Sequence, residues 1–160
     1  MTNPTARKVQ EILTSLGCDC RVLEFSESTR TAAEAAQRAG CELGQIVKSL
    51  VFRGGSSGKA ILVLTSGTNR VDETLLSRQV QEPINRADAD FVREVTGYAI
   101  GGVPPVGHAR PIDTYMDEDL LQYEKVWAAA GTPNAIFEIP SRELLRITGA
   151  KVVRVKSPSP

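Results

Sequence analysis

Histidine and cysteine are scarce in this chain, and both scarcities limit its chemistry. The 160 residues include one histidine, His108, and three cysteines. A zinc site needs about four such ligands at close spacing, whereas Cys18 and Cys20 form a C-x-C pair and Cys41 stands apart. An odd cysteine count also argues against a set of disulfides. We therefore expect reduced, mostly buried thiols and no metal site.

An excess charge of one sign and a long apolar run are also missing. Nineteen basic side chains balance nineteen acidic ones, so no overall positive field attracts nucleic acid, and any RNA contact has to be local. The longest apolar stretches are far shorter than the ~20 residues that cross a bilayer, and residues 1–10 do not resemble a signal peptide. We therefore expect a cytoplasmic protein.

Helical and strand patterns alternate irregularly along the chain. Helices are predicted where apolar residues recur every three or four positions behind a capping residue, and strands where short apolar runs occur. The predicted helices begin near Pro4, Thr31, Asp72, Asp88 and Ser141, and Ser141 is expected to cap the last of them. The predicted strands cover residues 21–25, 46–52, 60–64, 112–116, 125–129, 135–139 and 151–155.

This order of elements lacks a regular β-α-β alternation. It predicts the α+β class, with a mixed, partly closed, barrel-like sheet flanked by helices. No internal repeat and no linker divides the chain. We therefore predict one domain over residues 1–156, followed by a frayed tail at residues 157–160.

Glycine and proline are concentrated between Gly97 and His108. Glycine allows positive φ and lets a ligand approach the backbone, while Pro104 and Pro105 stiffen the segment and lack an N–H group. The remaining amides can point inward, and preorganised N–H donors are what an ester carbonyl needs when it becomes an oxyanion. The same composition also suits a tight connection between a helix and a strand.

A lysine interrupts the apolar run at residues 46–52. Strand alternation places Lys48 on the same face as Ile46 and Leu50. A lysine on an edge strand can block aggregation. Alternatively, a cation at the mouth of a pocket can bind a phosphate or a carboxylate, or stabilise developing negative charge. The pattern alone leaves both interpretations open.

The stretch from Ile46 to Leu50, followed about fifty residues later by Gly101 to Gly107, resembles the YbaK family, also called the prolyl-tRNA synthetase editing-domain family. The resemblance covers nearly the whole chain and includes Thr29-Arg30-Thr31 before an alanine-rich helix. It implies a free-standing deacylase that hydrolyses the ester of a mischarged tRNA in trans, with Ala- or Cys-tRNA(Pro), or another small amino acid, as the substrate. A second hydrolytic site of this kind is needed because a synthetase pocket rejects small competitors by only ~100-fold.

The resemblance also implies the site. Lys48 matches the family lysine near the terminal adenosine and its phosphate, and Gly101 and Pro105 match the G-x-x-x-P motif. The family uses neither a metal nor a protein nucleophile: loop amides hold the ester carbonyl, and a ribose hydroxyl helps to position or activate water. We expect no cofactor. With Lys48 and Gly101, Gly102 is the third expected catalytic residue; Ser49, Val103, Pro104, Pro105 and Gly107 are expected to bind substrate.

The expected partner is the 3′ end of an aminoacyl-tRNA, with tRNA(Pro) favoured and a synthetase as a further candidate; no DNA and no membrane contact is expected. Substrate choice is expected to depend on Phe25, where Cys-tRNA(Pro) deacylases tend to carry Tyr, and on Asn134, in a segment closer to the Ala-deacylating type. Asn134 also suits an ordinary turn.

Three further polar residues are candidates for binding substrate. His108 can act as a general acid or base, or be a solvated loop residue. Ser28 and Thr29 can bind a substrate amine or phosphate, or form a cap or turn. A non-catalytic module that binds a tRNA end, a nucleotide or a synthetase is the alternative to the deacylase.

Overall fold

A computed structural model describes residues 3–157 as a mixture of helices and strands. The five helices are α1 (Pro4–Ser15), α2 (Ala32–Ala39), α3 (Glu73–Val80), α4 (Ala89–Thr96) and α5 (Ser141–Thr148). The eight strands are β1 (Val22–Glu24), β2 (Val47–Gly54), β3 (Ala60–Ser66), β4 (Ile84–Arg86), β5 (Asp113–Asp117), β6 (Lys125–Ala129), β7 (Ala135–Pro140) and β8 (Lys151–Val153). Residues 158–160 of the predicted tail lie outside the described residues.

The strands form two sheets. The larger sheet has the order β4-β2-β3-β5-β8, in which β2 pairs antiparallel with β3 and β4, and β5 pairs parallel with β3 and β8. The smaller sheet, β1-β7-β6, is antiparallel. A parallel bridge between Ile46 and Trp127 joins them. The predicted α+β class is confirmed; no closed barrel forms among residues 3–157, and barrel-like closure stays a prediction.

The starts of the first four helices follow their capping residues. Asn3 accepts hydrogen bonds from the amides of Thr5 and Ala6, and Thr31 forms a complete capping box with Glu34. The side chains of Asp72 and Asp88 accept hydrogen bonds from the amides of Leu75 and Phe91 and so cap α3 and α4. Such side-chain acceptors satisfy N–H groups that have no partner within the helix.

Two details differ from the prediction. Ser141 is the first residue of α5 rather than its cap, and its hydroxyl donates to the carbonyl of Tyr123. The strand β4 was not predicted, because three residues are too few to show a period of two. It pairs with Phe52–Gly54 at the far end of β2.

Helix α1 and both sheets pack around one large apolar cluster. It includes Val9 and Leu13 of α1, Leu64 of β3 and Phe137 of β7, all fully buried. None of the helices within residues 3–157 is long and apolar enough to span a membrane. The shared core fixes β2 and β6 relative to each other on either side of the site described below.

Leu64→Ala is expected to lower the free energy of unfolding by about 2–5 kcal/mol, because it leaves a cavity in a packed core. Urea unfolding followed by circular dichroism measures the change. Leu43→Ala is the matched control: Leu43 is 40% exposed, so its loss should cost less than about 1 kcal/mol. Equal losses in the two variants would contradict this account of the core.

Candidate functional site

A cleft of about 280 Å³ opens between the two sheets, beside the bridge that joins Ile46 to Trp127. One wall is the stretch of β2 from Val47 to Leu50, and the facing wall is β6 from Trp127 to Ala129. The loop before α2 and the first turns of α2 form one end. Gly101 and Val103 of the glycine- and proline-rich segment also line the cleft, and Gly101 lies beside Arg30 of that loop.

Lys48 lies in the β2 wall of the cleft and is half-buried. Its ammonium donates a hydrogen bond of 2.5 Å to the carbonyl oxygen of Asn69. Burial lowers the pKa of Lys48, Arg86 and Arg70 lower it further, and Asp117 opposes them. β4 pairs with β2 only from Phe52 to Gly54, so at Lys48 the strand has β3 on one side and no partner strand within residues 3–157 on the other, as the edge-strand interpretation also expects.

A buried polar network holds the carbonyl group that Lys48 contacts. Asp117 is 1% exposed and accepts hydrogen bonds from the Ser66 amide at 2.9 Å and the Asn69 side chain at 2.8 Å. The Asn69 side chain also donates to Asp119 at 2.8 Å. Sequence reasoning missed Asn69 and Asp117, because their contacts join residues about fifty positions apart and leave no local pattern.

Gly101 has a conformation and an environment that only glycine fits. Its φ is +92°, and an added Cβ would lie 2.6 Å from Cγ of Arg30, whose stem lies against it. Neither the Gly101 amide nor the Val103 amide donates to another residue within 3–157. Both residues line the cleft, so their N–H groups are the candidate backbone donors for a ligand there.

Gly102 differs from its neighbours in its contacts, and its catalytic role stays a prediction. It does not line the cleft, and its amide donates to the carbonyl of Ala99 at 3.0 Å. An added Cβ would lie 3.0 Å from the backbone of Thr132. Gly102 is thus required for close packing of two backbone segments.

The second half of the segment turns away from Lys48. Pro105, Gly107 and His108 line a separate groove between α1 and α5, and Pro104 contributes its carbonyl to a 2.7 Å hydrogen bond with Nε2 of His108. A carbonyl only accepts, so Nε2 carries the proton. Burial lowers the pKa of His108, and the bond to Pro104 only partly opposes this. The substrate-binding roles predicted for these residues are not supported by their location.

The lowered pKa of His108 predicts a loss of stability in mild acid. The unfolded chain, with a histidine pKa of about 6.5, then binds a proton that the folded chain resists, so stability present above that pH is lost as the pH falls below it. The effect is at most about 1.4 kcal/mol per pH unit. Urea midpoints at pH 7.5 and 5.5 should differ less in His108→Gln than in the unmodified protein, and equal differences would contradict the assignment.

Among the residues before α2, only Thr29 of the predicted set lines the cleft. Thr29 is buried, and both its amide and its hydroxyl donate to the carbonyl of Pro133, at 2.7 and 3.2 Å. Ser28 bonds instead to Glu34 and to the Arg30 amide. Thr29 therefore ties this loop to the turn at residues 131–134.

Phe25 and Asn134, the predicted determinants of substrate choice, lie outside the cleft lining. The Phe25 amide donates to the Asn134 carbonyl at 2.8 Å, and the Asn134 side chain donates to the carbonyl of Glu27. Asn134 thus joins its turn to the segment after β1, and its role in substrate choice stays a prediction. The residues that do face the cleft and were not predicted are mostly small or apolar: Ala32, Ala35, Ile46, Val47, Leu50, Ile100, Trp127, Ala128, Ala129 and Ile136, with Arg30 and Thr31.

The described residues contain no close group of three or more His, Cys, Asp or Glu side chains that could hold a metal ion. The thiols of Cys18, Cys20 and Cys41 are free, as expected. Burial raises the pKa of Cys20 to about 12 and also raises that of Cys18. None of the three lines the cleft.

Comparison with known proteins gives a family and several relatives. The model of the aminoacyl-tRNA editing domain matches residues 26–147. YwhH of Bacillus subtilis is 33% identical over 131 residues, 82% of this chain and 83% of that protein. EbsC of Enterococcus faecalis, provisionally described as a Cys-tRNA(Pro)/Cys-tRNA(Cys) deacylase, is 24% identical over 131 residues, 82% and 80% of the two chains. A crystal structure provisionally described as a trans-editing enzyme for prolyl tRNA synthetase has 52% identity and a TM-score of 0.93, over 99% of this chain and 100% of that one.

Proposed function

Because the chain belongs to the aminoacyl-tRNA editing-domain family, we propose that it hydrolyses the ester bond of mischarged aminoacyl-tRNA in trans. The observation that carries the proposal is that one cleft is lined by Lys48 and by Gly101 and Val103, whose amides donate to no other residue within 3–157. We propose that residues 1–156 form one editing domain and that it acts in the cytoplasm, where charged tRNA is used.

The proposed chemistry is a direct attack of water on the ester. The ester carbonyl accepts hydrogen bonds from the Gly101 and Val103 amides, which stabilise the negative charge that develops on its oxygen. The carbonyl carbon then gains an oxygen from water and loses the bond to the ribose oxygen, which takes up a proton. The products are the free amino acid and uncharged tRNA. A ribose hydroxyl positions the water, and no metal takes part.

Lys48 is proposed to hold the phosphate of the terminal nucleotide. An ammonium group with three donors binds phosphate oxygens as a compact charge. The neighbouring Arg86 and Arg70, which lower the pKa of Lys48, make the local potential more positive and therefore suited to an anion. This local positive charge can attract a phosphate group, although the net charge of the whole chain is zero.

A small amino acid is the proposed acyl group, attached to tRNA(Pro). Four alanines, Ala32, Ala35, Ala128 and Ala129, face the cleft, and their methyl groups form an apolar surface that suits an apolar side chain. The names given to the Enterococcus relative and to the similar crystal structure support tRNA(Pro) as the carrier. Ala and Cys are the leading candidates, and docking on a synthetase would add affinity for the tRNA body.

A panel of charged tRNAs tests the proposal. The protein is incubated with tRNA(Pro) carrying Ala, Cys, Ser or Pro, and with a non-cognate tRNA carrying the same amino acids. We expect at least one small amino acid to be released much faster than Pro. Hydrolysis of Pro-tRNA(Pro) at a comparable rate would contradict editing, and binding without release would favour the non-catalytic module.

A further inference from the structure

The cleft runs along the edge of a strand rather than across its face. Four successive residues of β2, Val47 to Leu50, line it, and so do three successive residues of β6, Trp127 to Ala129. Successive side chains of a strand point to opposite faces of its sheet. A cleft that touches every residue in turn must therefore contact the backbone edges of both strands.

Two hydrogen bonds fix the direction in which the β2 backbone groups point. The Ile46 carbonyl accepts from Gly67, on the side of β3, and the Val51 carbonyl accepts from Ala87, on the side of β4. Backbone groups of alternate residues point to the same side of a strand. The N–H and C=O groups of Ser49, which has the same parity as Val51, therefore point away from β3 and into the cleft.

No strand within residues 3–157 pairs with this edge at Ser49. The pairing with β4 begins at Phe52, and the bridge to β6 lies at Ile46. The facing strand is similar: Ala130 donates to Ala135 on the β7 side, so the backbone groups of Ala129 point toward β2. The two sheets thus separate at the cleft, and backbone carbonyl groups without a partner among residues 3–157 lie on both sides of it.

The part of the cleft lining formed by residues 3–157 contains cations but no carboxylate. Lys48 and Arg30 are its charged residues, and its hydroxyl groups come from Thr29, Thr31 and Ser49. A substrate group that donates hydrogen bonds, such as an α-ammonium group, therefore finds backbone carbonyls as its main fixed acceptors. The ester carbonyl, in contrast, is matched by the N–H groups of Gly101 and Val103.

We propose that the backbone carbonyl of Ser49, in the gap between β2 and β6, binds the α-amino group of the aminoacyl ester. The inference rests on the proposed function and adds a recognition element to it. Ser49 would thereby distinguish aminoacyl esters from esters of acids that lack an α-amino group, whatever the side chain. A backbone acceptor would allow a cleft lining without a carboxylate to bind the α-amino group.

Substrate analogues test the proposal on the enzyme as it is. The amino acid that gives the highest kcat/KM in the panel is compared with its α-hydroxy acid and its α-deamino acid on the same tRNA; for alanine these are lactate and propionate. Rates are divided by the uncatalysed rates of the same esters. The deamino ester is expected to lose about 10- to 100-fold, the range for a hydrogen bond to a charged group, and the hydroxy ester should lose less.

A second measurement locates the contact. Labelling serine at the carbonyl carbon with ¹³C and leucine with ¹⁵N gives signals only from Ser-Leu pairs, of which the chain has two, Ser15-Leu16 and Ser49-Leu50. A non-hydrolysable 3′-aminoacylamino adenosine should shift the Ser49-Leu50 signal and leave Ser15-Leu16 unchanged. Its deamino analogue should shift Ser49-Leu50 clearly less.

The outcomes separate the two proposals. If no charged tRNA is hydrolysed, the proposed function fails. If aminoacyl and deamino esters are hydrolysed with equal normalised kcat/KM, or the two analogues shift Ser49-Leu50 equally, the function stands and the role of Ser49 is overturned. Selective loss on the deamino ester together with a selective shift supports it.

Discussion

Lys48→Ala is expected to lower kcat/KM for deacylation by about 100-fold, because truncating one partner of a hydrogen-bonded charge pair costs roughly 2–5 kcal/mol. In the proposed complex the partner is the phosphate of the terminal nucleotide. The variant should also show a weaker salt dependence of binding, with the slope of log K against log salt reduced by about 1. Single-turnover deacylation at two salt concentrations measures both effects.

Lys59→Ala is the matched control for Lys48. Lys59 forms an exposed ion pair with Asp113 at 2.8 Å and does not line the cleft, so its removal should leave activity unchanged. Thermal unfolding of both variants separates loss of function from loss of structure. Full activity of Lys48→Ala would remove this lysine from the mechanism.

Gly101→Ala is expected to lower kcat by about 100- to 1,000-fold, the loss seen when one oxyanion donor is removed. The new Cβ would lie 2.6 Å from Cγ of Arg30, and the residue would keep a φ of +92° that alanine rarely adopts. The loop therefore has to move, and the Gly101 amide moves with it. Single-turnover rates measured at saturating protein concentration report the loss in the chemical step without a contribution from weaker binding.

Gly149→Ala imposes a similar backbone strain away from the cleft. Gly149 has a φ of +61° at the end of α5, and an added Cβ meets no atom within 4 Å. This variant should lose about 1 kcal/mol of stability and keep its activity. If Gly101→Ala lost no more activity than Gly149→Ala, the Gly101 amide would not contribute to the reaction.

The sequence predicted the residues whose roles depend on local composition. Lys48 is conspicuous in an apolar run, and Gly101 lies in a segment rich in glycine and proline; both line the cleft. Gly102 is chemically identical to its neighbour, yet its amide bonds to Ala99 and its α-carbon packs on Thr132. That difference depends on a turn at positions 131–134, which no local pattern in the segment can reveal.

The parts of the site that could not be predicted depend on long-range pairing. His108 follows the loop directly in sequence, but the chain turns after Val103 and places His108 in another groove. The backbone edge at Ser49 exists only because β4 pairs with β2 from Phe52 onward and the bridge to β6 lies at Ile46, just before β2. Most helices and strands could be predicted, because caps and apolar periodicity are local features of the sequence. The division of the strands into two sheets depends on long-range pairing and could not be predicted.

Hydrolysis in ¹⁸O-labelled water tests the central claim most directly. Mischarged Ala- or Cys-tRNA(Pro) is incubated with the protein and with Lys48→Ala, and the released amino acid is analysed by mass spectrometry. We predict rapid release that depends on Lys48, with one ¹⁸O atom in the carboxyl group of the amino acid and an unlabelled tRNA. Release no faster than with Lys48→Ala, or an amino acid without the label, would contradict direct hydrolysis of the ester in this cleft.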